Sequence, residues 1–359
     1  MPLVGIDTNG LYTTQAGLAR YIRGLLKGLK CLGTPDIDLR VVAWEVQNFS
    51  YRQPQRAFKT FYRELIWAKF SAPLWLRKCN IALLHSTAGP LISTPRGIKE
   101  VVTLHDLAVL RYPERFRSWH LRVALGRMQR LRSADQVICI SRFTATEAMA
   151  LLNLPASSLT VIHNGCDFHQ GESAPPERRP DFSLPNEYFL FVGSLEPGKN
   201  LALLKEVYAV AESRKIVLPP LLIVGARWEG IRGEGPPPKN WHYLGRLPDE
   251  ILVYLYRHAM GLVFPSKYEG FGLPVAEAMS LGCPVICSAV ASLPEVAGAA
   301  ALFAEMTPGA YLEAMRRISA DAILRGELVE MGLVQADKFS WRRCAEQAVE
   351  VYRAMLRSS

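Results

Sequence analysis

The stretch PSKYEGFGLPVAEAMSLGCPVICS, Pro265 to Ser288, decides how this chain folds. It begins where an apolar run, Gly261 to Phe264, gives way to a turn carrying Gly270 and Gly272. The spacing predicts a strand ending at Phe264, a helix starting near Pro274 and a second strand over Pro284 to Ser288. Proline suits a first helical turn because it has no N–H to leave unpaired there. The two glycines let the backbone approach a ligand closely, and the amides of the helix start can hydrogen-bond a phosphate or sugar oxygen.

The same alternation extends outward in both directions. Short β-branched or aromatic runs between helical stretches predict strands at Val4 to Asp7, Leu39 to Trp44, Ala82 to His85, Glu100 to His105, Gln136 to Ile140 and Leu159 to His163. A second set falls at Tyr188 to Val192, Leu221 to Val224, Trp241 to Leu244, Gly261 to Phe264, Pro284 to Ser288 and Ala300 to Phe303. Between the sets, Phe168 to Pro185 carries Pro175, Pro176, Pro180 and Pro185 with charges and few apolar residues, as a linker does. The expected organisation is an α/β chain of two doubly wound, Rossmann-like domains, residues 1–167 and 186–340, joined by a linker over 168–185. Residues 341–359 form a terminal helix with apolar positions at Trp341, Cys344, Ala345, Ala348, Val351, Tyr352 and Met355, expected to pack back toward the first domain. Two such domains leave a cleft where the carboxyl ends of both sheets face each other, and ligands bind outside those ends.

Composition agrees with this plan. The 359 residues are 49% hydrophobic and 21% charged, which excludes disorder, collagen and coiled coil and suffices for two cores. Seven scattered cysteines contain no CxxC pair and read as reduced thiols rather than a zinc or redox site. Asp7 interrupts the first apolar run, so no secretory leader is expected. The longest weakly polar run, Ala278 to Pro294, holds Gly282, Pro284 and Pro294 and is too short to span a bilayer. The expected location is cytoplasmic.

Charge is uneven. Residues 1–167 hold 22 Lys plus Arg against 11 Asp plus Glu, more than the whole net charge of +9. A surface of this kind attracts anions, whether nucleic acid, acidic lipid or a phosphorylated substrate. Within it, Gln55 to Phe70 sets Phe58, Phe61, Tyr62, Leu65 and Ile66 on one helical face, with Arg56, Lys59, Arg63 and Lys69 around it. Such a helix either packs on the sheet or lies at a membrane surface; the charge favours peripheral contact with anionic lipid.

Four short motifs compete to explain a ligand. Gly193 to Asn200, GSLEPGKN, has the spacing of a P-loop, but Asn200 stands where Ser or Thr would hold magnesium. The turn still offers Lys199 to a phosphate. GFGLPV begins like a dinucleotide fingerprint, yet Val275 occupies the third glycine position. Asp36 and Asp38 form a DxD in a short turn before a strand, where Asp is favoured for backbone reasons, and no metal is expected. The fourth motif pairs Glu269 in the turn with Glu277 in the helix. Carboxylates there would repel phosphate but can accept hydrogen bonds from sugar or ribose hydroxyls, while Glu277 alone also suits the helix dipole. His105, at a strand end beside Asp106, can bond a sugar hydroxyl or serve as a capping or packing residue.

The runs EGFGLPVAEAMSLGCPVICS, VGSLEPGKNL, LIVGARWEG, WHYLGRLPDEILVYLYRHAMGLVFPS and ASLPEVAG resemble glycosyltransferase family 4, the retaining nucleotide-sugar transferases of GT-B architecture. In the first half GIDTNGLYTTQAGLARY, VVTLHDLAVLRYPERF, VICISRFTATEA and VIHNGCD are similar to the same family, so the resemblance covers nearly the whole chain. It is strongest to the bacterial mannosyltransferases and rhamnosyltransferases of surface polysaccharide synthesis. The resemblance implies that Glu277 holds the donor ribose and that Glu269 lies by the transferred sugar. It sets Lys199 on the pyrophosphate with Ser194 nearby, and turns the amides of Gly270, Phe271, Gly272 and Leu273 to the donor. His105 then stands near the reacting centre, and Gly17 belongs to the amino-terminal loop at the cleft. Two positions depart from the family pattern: Ala19 replaces a second glycine and Gly198 replaces an arginine.

The expected function is a retaining, metal-independent hexosyl transfer from a nucleotide sugar, GDP-mannose or a GDP-deoxyhexose first and a UDP-sugar second. The acceptor is expected to be a saccharide or lipid-linked saccharide, with no nucleic-acid partner. A nucleotide-sugar epimerase would share the architecture without requiring the glutamate pair, and a non-catalytic sugar-binding protein would explain Ala19 and Gly198. The largest lever for the transfer is fixed positive potential at the leaving phosphate, from Lys199 and the helix amides.

Overall fold

The computed structural model describes residues 1–12, 17–44, 54–116, 118–166, 168, 177–226 and 238–357. Its strands are β1 (Leu3–Asp7), β2 (Asp38–Val42), β3 (Ile81–Ser86), β4 (Lys99–Leu104), β5 (Gln136–Cys139), β6 (Leu159–Val161), β7 (Phe189–Val192), β8 (Leu221–Val224), β9 (Trp241–Gly245), β10 (Gly261–Phe264), β11 (Val285–Ser288) and β12 (Ala301–Ala304). They form two six-stranded parallel sheets ordered β2-β1-β3-β4-β5-β6 and β12-β11-β10-β7-β8-β9. Each strand run read from the sequence is present, with ends moved by one or two residues. The chain divides into two compact units, residues 1–165 with 341–359, and residues 166–340. Of the segment 168–185, residues 169–176 lie outside the described residues, and 177–185 contain neither helix nor strand.

The burial pattern explains the strand order. In β7, β8, β10 and β11 every residue is buried, as parallel strands covered on both faces require. Edge strands β2 and β9 are mostly exposed, each with a single buried residue. In the second unit, β7 is followed outward by β8 and β9 on one side, while β10 returns to its other side. The β7/β10 junction is therefore a topological switch point, where the loops leaving the two strands diverge and open a crevice at their carboxyl ends. In the first unit the equivalent junction is β1/β3.

The terminal helix, Trp341–Arg357, belongs to the first unit and packs on the helix Gly17–Leu32. Two glycines permit the approach: a Cβ on Gly24 would sit 2.1 Å from the Trp341 ring, and one on Gly28 would sit 2.3 Å from the Trp341 carbonyl oxygen. Trp341, Cys344, Ala345, Ala348, Val351 and Tyr352 enter the same core as Ile22, Leu25 and Leu29.

One sequence expectation needs correction. The helix Pro54–Tyr62 continues as a π-helix, Arg63–Ser71, and then as the α-helix Ala72–Lys78. Of the expected face Phe58, Phe61, Leu65 and Ile66 are exposed, with Phe70 and Leu74 beside them, whereas Tyr62 is half-buried and packs against Trp44. Arg63, however, is not on the solvated rim; it is 1% exposed and donates from Nη2 to Glu64 Oε1 at 3.0 Å. In a π-helix the bonds run from i to i+5, so the 3.6-residue phase read from sequence no longer holds beyond Tyr62.

Candidate functional site

The second unit builds its site around the β7/β10 switch point. After β7 the chain passes through Gly193 and Ser194 into a single 3-10 turn, Pro197–Lys199, whose start is capped by Glu196 accepting from the Gly198 amide at 2.7 Å. Ser194 is half-buried, and its carbonyl accepts from the Glu196 amide. After β10 the Lys267 amide donates to the Gly198 carbonyl at 2.8 Å, and the fully buried Ser266 hydroxyl reaches the same oxygen at 3.3 Å. The two loops are thereby tied, and Lys199 Nζ donates to Glu269 Oε1.

Glu269 is held from three sides. Its Oε1 also accepts from Ser266 Oγ at 2.5 Å, and its carbonyl accepts from Ser292 Oγ at 2.9 Å. Ser288 Oγ in turn donates to the Ser266 carbonyl at 2.5 Å. A lysine ammonium has three donors, of which Glu269 takes one. The side chains of Lys199 and Glu269 are 18% and 11% exposed, so the pair sits at the edge of the core, where charges are only partly screened.

The glycine turn follows. Gly272 has φ +96°, and a Cβ there would lie 2.6 Å from Leu293 Cδ2, so only glycine fits. The helix Leu273–Ser280 starts at once, with Pro274 in its first turn. Gly270, Phe271 and Leu273 are buried, and the Phe271 ring packs edge-on against Phe339 at 5.3 Å. What Phe271 brings to the turn is backbone, since its side chain belongs to the core. Glu277 is 4% exposed, and its Oε2 accepts from the hydroxyl of Tyr256 at 3.1 Å. Tyr256 is fully buried in the helix Asp249–His258, and the spacing of the acidic pair gave no sign of it.

In the first unit His105 follows β4. Its Nε2 donates to the Thr87 carbonyl at 2.8 Å rather than to Asp106, whose Oδ1 accepts from the Ala108 amide at 2.9 Å. The neutral ring thus carries its proton on Nε2 and presents Nδ1 as the acceptor. Burial lowers the His105 pKa from its ordinary 6.5 to about 4, so the imidazole is neutral at physiological pH. Its ring meets the edge of Tyr21 at 4.8 Å. Behind it runs a buried network missed by the sequence pattern: Tyr21 Oη to Thr103 Oγ1 at 2.8 Å, Thr103 Oγ1 to His85 Nε2 at 2.8 Å, and His85 Nδ1 to Tyr352 Oη at 2.6 Å. Gly17 opens the helix Gly17–Leu32 and is exposed, and Ala19 is completely buried.

Asp36 of the DxD is engaged by Arg353 through Nε at 2.7 Å and Nη2 at 2.8 Å. Among the described residues, no cluster of three or more His, Cys, Asp or Glu has a metal-holding arrangement, and no helix is long and apolar enough to cross a membrane.

Two parallel six-stranded sheets with flanking helices in one chain are the architecture of the GT-B fold. Two family models match: Glycosyltransferase Family 4 over residues 16–170 and Glycosyl transferases group 1 over residues 177–333. The chain is 33% identical over 286 residues to O-antigen chain mannosyltransferase B of Escherichia coli, covering 74% of each. It is 28% identical over 281 residues to the serotype-specific mannosyltransferase WbdA of the same organism, spanning 73% of this chain but 34% of WbdA. Its fold is shared with the sucrose-phosphate synthase of Thermosynechococcus elongatus, at a TM-score of 0.77 and 20% identity over the whole of both chains. The chain belongs to the family 4 glycosyltransferases and is a hexosyl-transferring enzyme.

Proposed function

We propose that this glycosyltransferase moves mannose, or a related deoxyhexose, from its GDP derivative to a saccharide or lipid-linked saccharide acceptor in surface polysaccharide synthesis, with retention at the anomeric carbon. The observation that carries the reading is the Lys199–Glu269 pair at the switch point beside the Gly272 helix start. Similarity to the O-antigen mannosyltransferase supports mannose as the sugar.

The chemistry follows from charge. Breaking the anomeric bond leaves an anionic nucleoside diphosphate and a cationic sugar, so fixed donors at the phosphate lower the barrier. Lys199, steadied by Glu269, keeps further N–H donors for phosphate oxygens; at the helix start the Val275 and Ala276 amides already donate to the Gly272 carbonyl and Pro274 has no N–H, which leaves the Leu273 amide to the donor. Glu277 accepts the ribose hydroxyls. Glu269 lies by the transferred sugar, where its charge favours the developing cation. Neutral His105 accepts a hydrogen bond at Nδ1 from a sugar hydroxyl. Attack comes from the face the phosphate leaves, and the departing phosphate oxygen takes the acceptor's proton. Lys199 and the Leu273 amide carry the leaving charge without a metal. Ser194 and Gly17 are carried as donor-binding residues on the family resemblance alone.

The exposed row Phe58, Phe61, Leu65, Ile66, Phe70 and Leu74, flanked by exposed Lys59, Lys69, Arg77 and Lys78, supports peripheral binding at the anionic cytoplasmic face of a membrane. The test of the whole reading is incubation with a panel of GDP- and UDP-sugars in EDTA, measuring free nucleoside diphosphate. Release from GDP-mannose or a GDP-deoxyhexose supports it; release only from UDP-sugars, or only after metal is restored, overturns the corresponding part.

A further inference from the structure

A buried contact joins Tyr256 to Glu277. Glu277 stands at the fifth position of the helix Leu273–Ser280, almost without solvent exposure. The last torsion of a glutamate is broad and roughly two-fold, so a carboxylate on a fixed stem still rotates unless another group sets its plane. Tyr256 is one such group. Its ring is fully buried in the neighbouring helix Asp249–His258, and its hydroxyl lies 3.1 Å from Glu277 Oε2 and 3.5 Å from the Pro274 carbonyl. The hydroxyl therefore bridges the first turn of one helix to the carboxylate one turn further along.

A vicinal diol is recognised when both hydroxyls donate to one carboxylate in a single orientation, and a rotated carboxylate serves at most one of them. We propose that Tyr256 is a positioning residue that fixes the Glu277 carboxylate for the 2′,3′-diol of a ribonucleotide, and so makes the enzyme discriminate ribo- from 2′-deoxyribonucleoside diphosphates. This inference rests on the reading of Glu277 as the ribose acceptor.

The experiment is calorimetric titration of GDP, 2′-deoxy-GDP, UDP and 2′-deoxy-UDP into wild type, Tyr256→Phe, Glu277→Gln and the double variant, with a thermal melt of each. The expected result is that wild type prefers the ribonucleotide by on the order of tenfold or more, the loss expected when a charge-assisted hydrogen bond is removed. Tyr256→Phe then shrinks that preference several-fold with deoxynucleotide affinity unchanged, and Glu277→Gln abolishes it. The double variant behaves as Glu277→Gln, because the tyrosine acts only through the glutamate. If Glu277→Gln leaves the preference intact, the ribose reading fails and this inference with it. If Glu277→Gln abolishes the preference but Tyr256→Phe keeps the wild-type ratio, the ribose reading stands and the positioning role is overturned. Equal weakening of ribo and deoxy ligands by Tyr256→Phe, with a lower melting temperature, makes Tyr256 a packing residue and also overturns the proposal.

Discussion

Replacing Lys199 with alanine should damage stability and turnover separately, and a second substitution should pull the two apart. Lys199 and Glu269 are 18% and 11% exposed, and removal of the ammonium leaves a largely buried carboxylate with Ser266 as its remaining side-chain donor. Breaking one partner of a fully buried pair costs about 3 to 5 kcal/mol. With residual exposure and the serine hydrogen bond in place, about 2 to 3 kcal/mol is expected here. For a unit of this size that lowers the melting temperature by about 5 to 10 °C. Adding Glu269→Gln removes the orphaned charge while the amide oxygen still accepts from Ser266, so most of the lost stability should return. Turnover should not return: both variants should be slower by on the order of 10² to 10³, with the donor's KM much less affected, because charge on the phosphate grows as the bond breaks. Differential scanning calorimetry and nucleoside diphosphate release measure the two quantities. An unchanged melting temperature in Lys199→Ala would refute the pairing argument, and recovery of turnover in the double variant would refute a role for lysine charge at the leaving group.

Four further outcomes are expected. Gly272→Ala should lose donor binding and stability together, since φ of +96° and a contact of 2.6 Å to Leu293 leave no room for a methyl; a melting temperature within 1 °C of wild type, on the order of a few tenths of a kcal/mol, would count against that geometry. Glu277→Gln should weaken nucleoside diphosphate binding by about 1.5 to 3 kcal/mol, and equal affinity by calorimetry would remove it from the site. His105 has its pKa lowered to about 4, so the unfolded chain binds the extra proton first; the stability this group contributes is complete above pH ~6.5 and is lost as pH falls toward 4. His85, at about 3, acts in the same sense, whereas Asp7, raised by burial to about 6, and Glu100, also raised, act oppositely. In the difference between wild type and His105→Gln the Asp7 and Glu100 contributions cancel and burial still keeps His85 neutral, so urea unfolding between pH 6 and 5 should show a slope smaller by about 1.2 kcal/mol per pH unit in the variant; identical slopes would exclude a neutral buried imidazole. Finally, the protein should sediment with anionic but not neutral vesicles at low salt, each Lys or Arg near the surface adding ~1 kcal/mol screened over ~8 to 10 Å. Replacing Lys59, Lys69, Arg77 and Lys78 by Gln, or Phe58, Phe61 and Phe70 by Ser, should abolish sedimentation; binding as strong as wild type would make that face a solvated one.

By itself the sequence determined where the strands, the helix after the glycine turn and the terminal helix lie, and which residue types could carry chemistry. Apolar runs such as Phe189–Val192 and Val285–Ser288 are buried on both faces and need no partner to be recognised, and the glycines before Pro274 state a local backbone requirement. Lys199, Glu269 and Glu277 were legible as residue types at motif spacings. Their surroundings were not. Lys199 and Glu269 are 70 positions apart and meet because β10 returns to the far side of β7, a strand order that periodicity does not encode. Ser266, Ser292 and Tyr256 acquire their partners only once that order is set, and the chain from Tyr21 through Thr103 and His85 to Tyr352 needs the last helix to lie against the first. Arg63 shows the same limit locally: its burial follows from a π-helical register fixed by packing, while its sequence neighbours describe a solvated amphipathic helix. Local period reports what a segment can form, and long-range contacts decide which side chains then face one another.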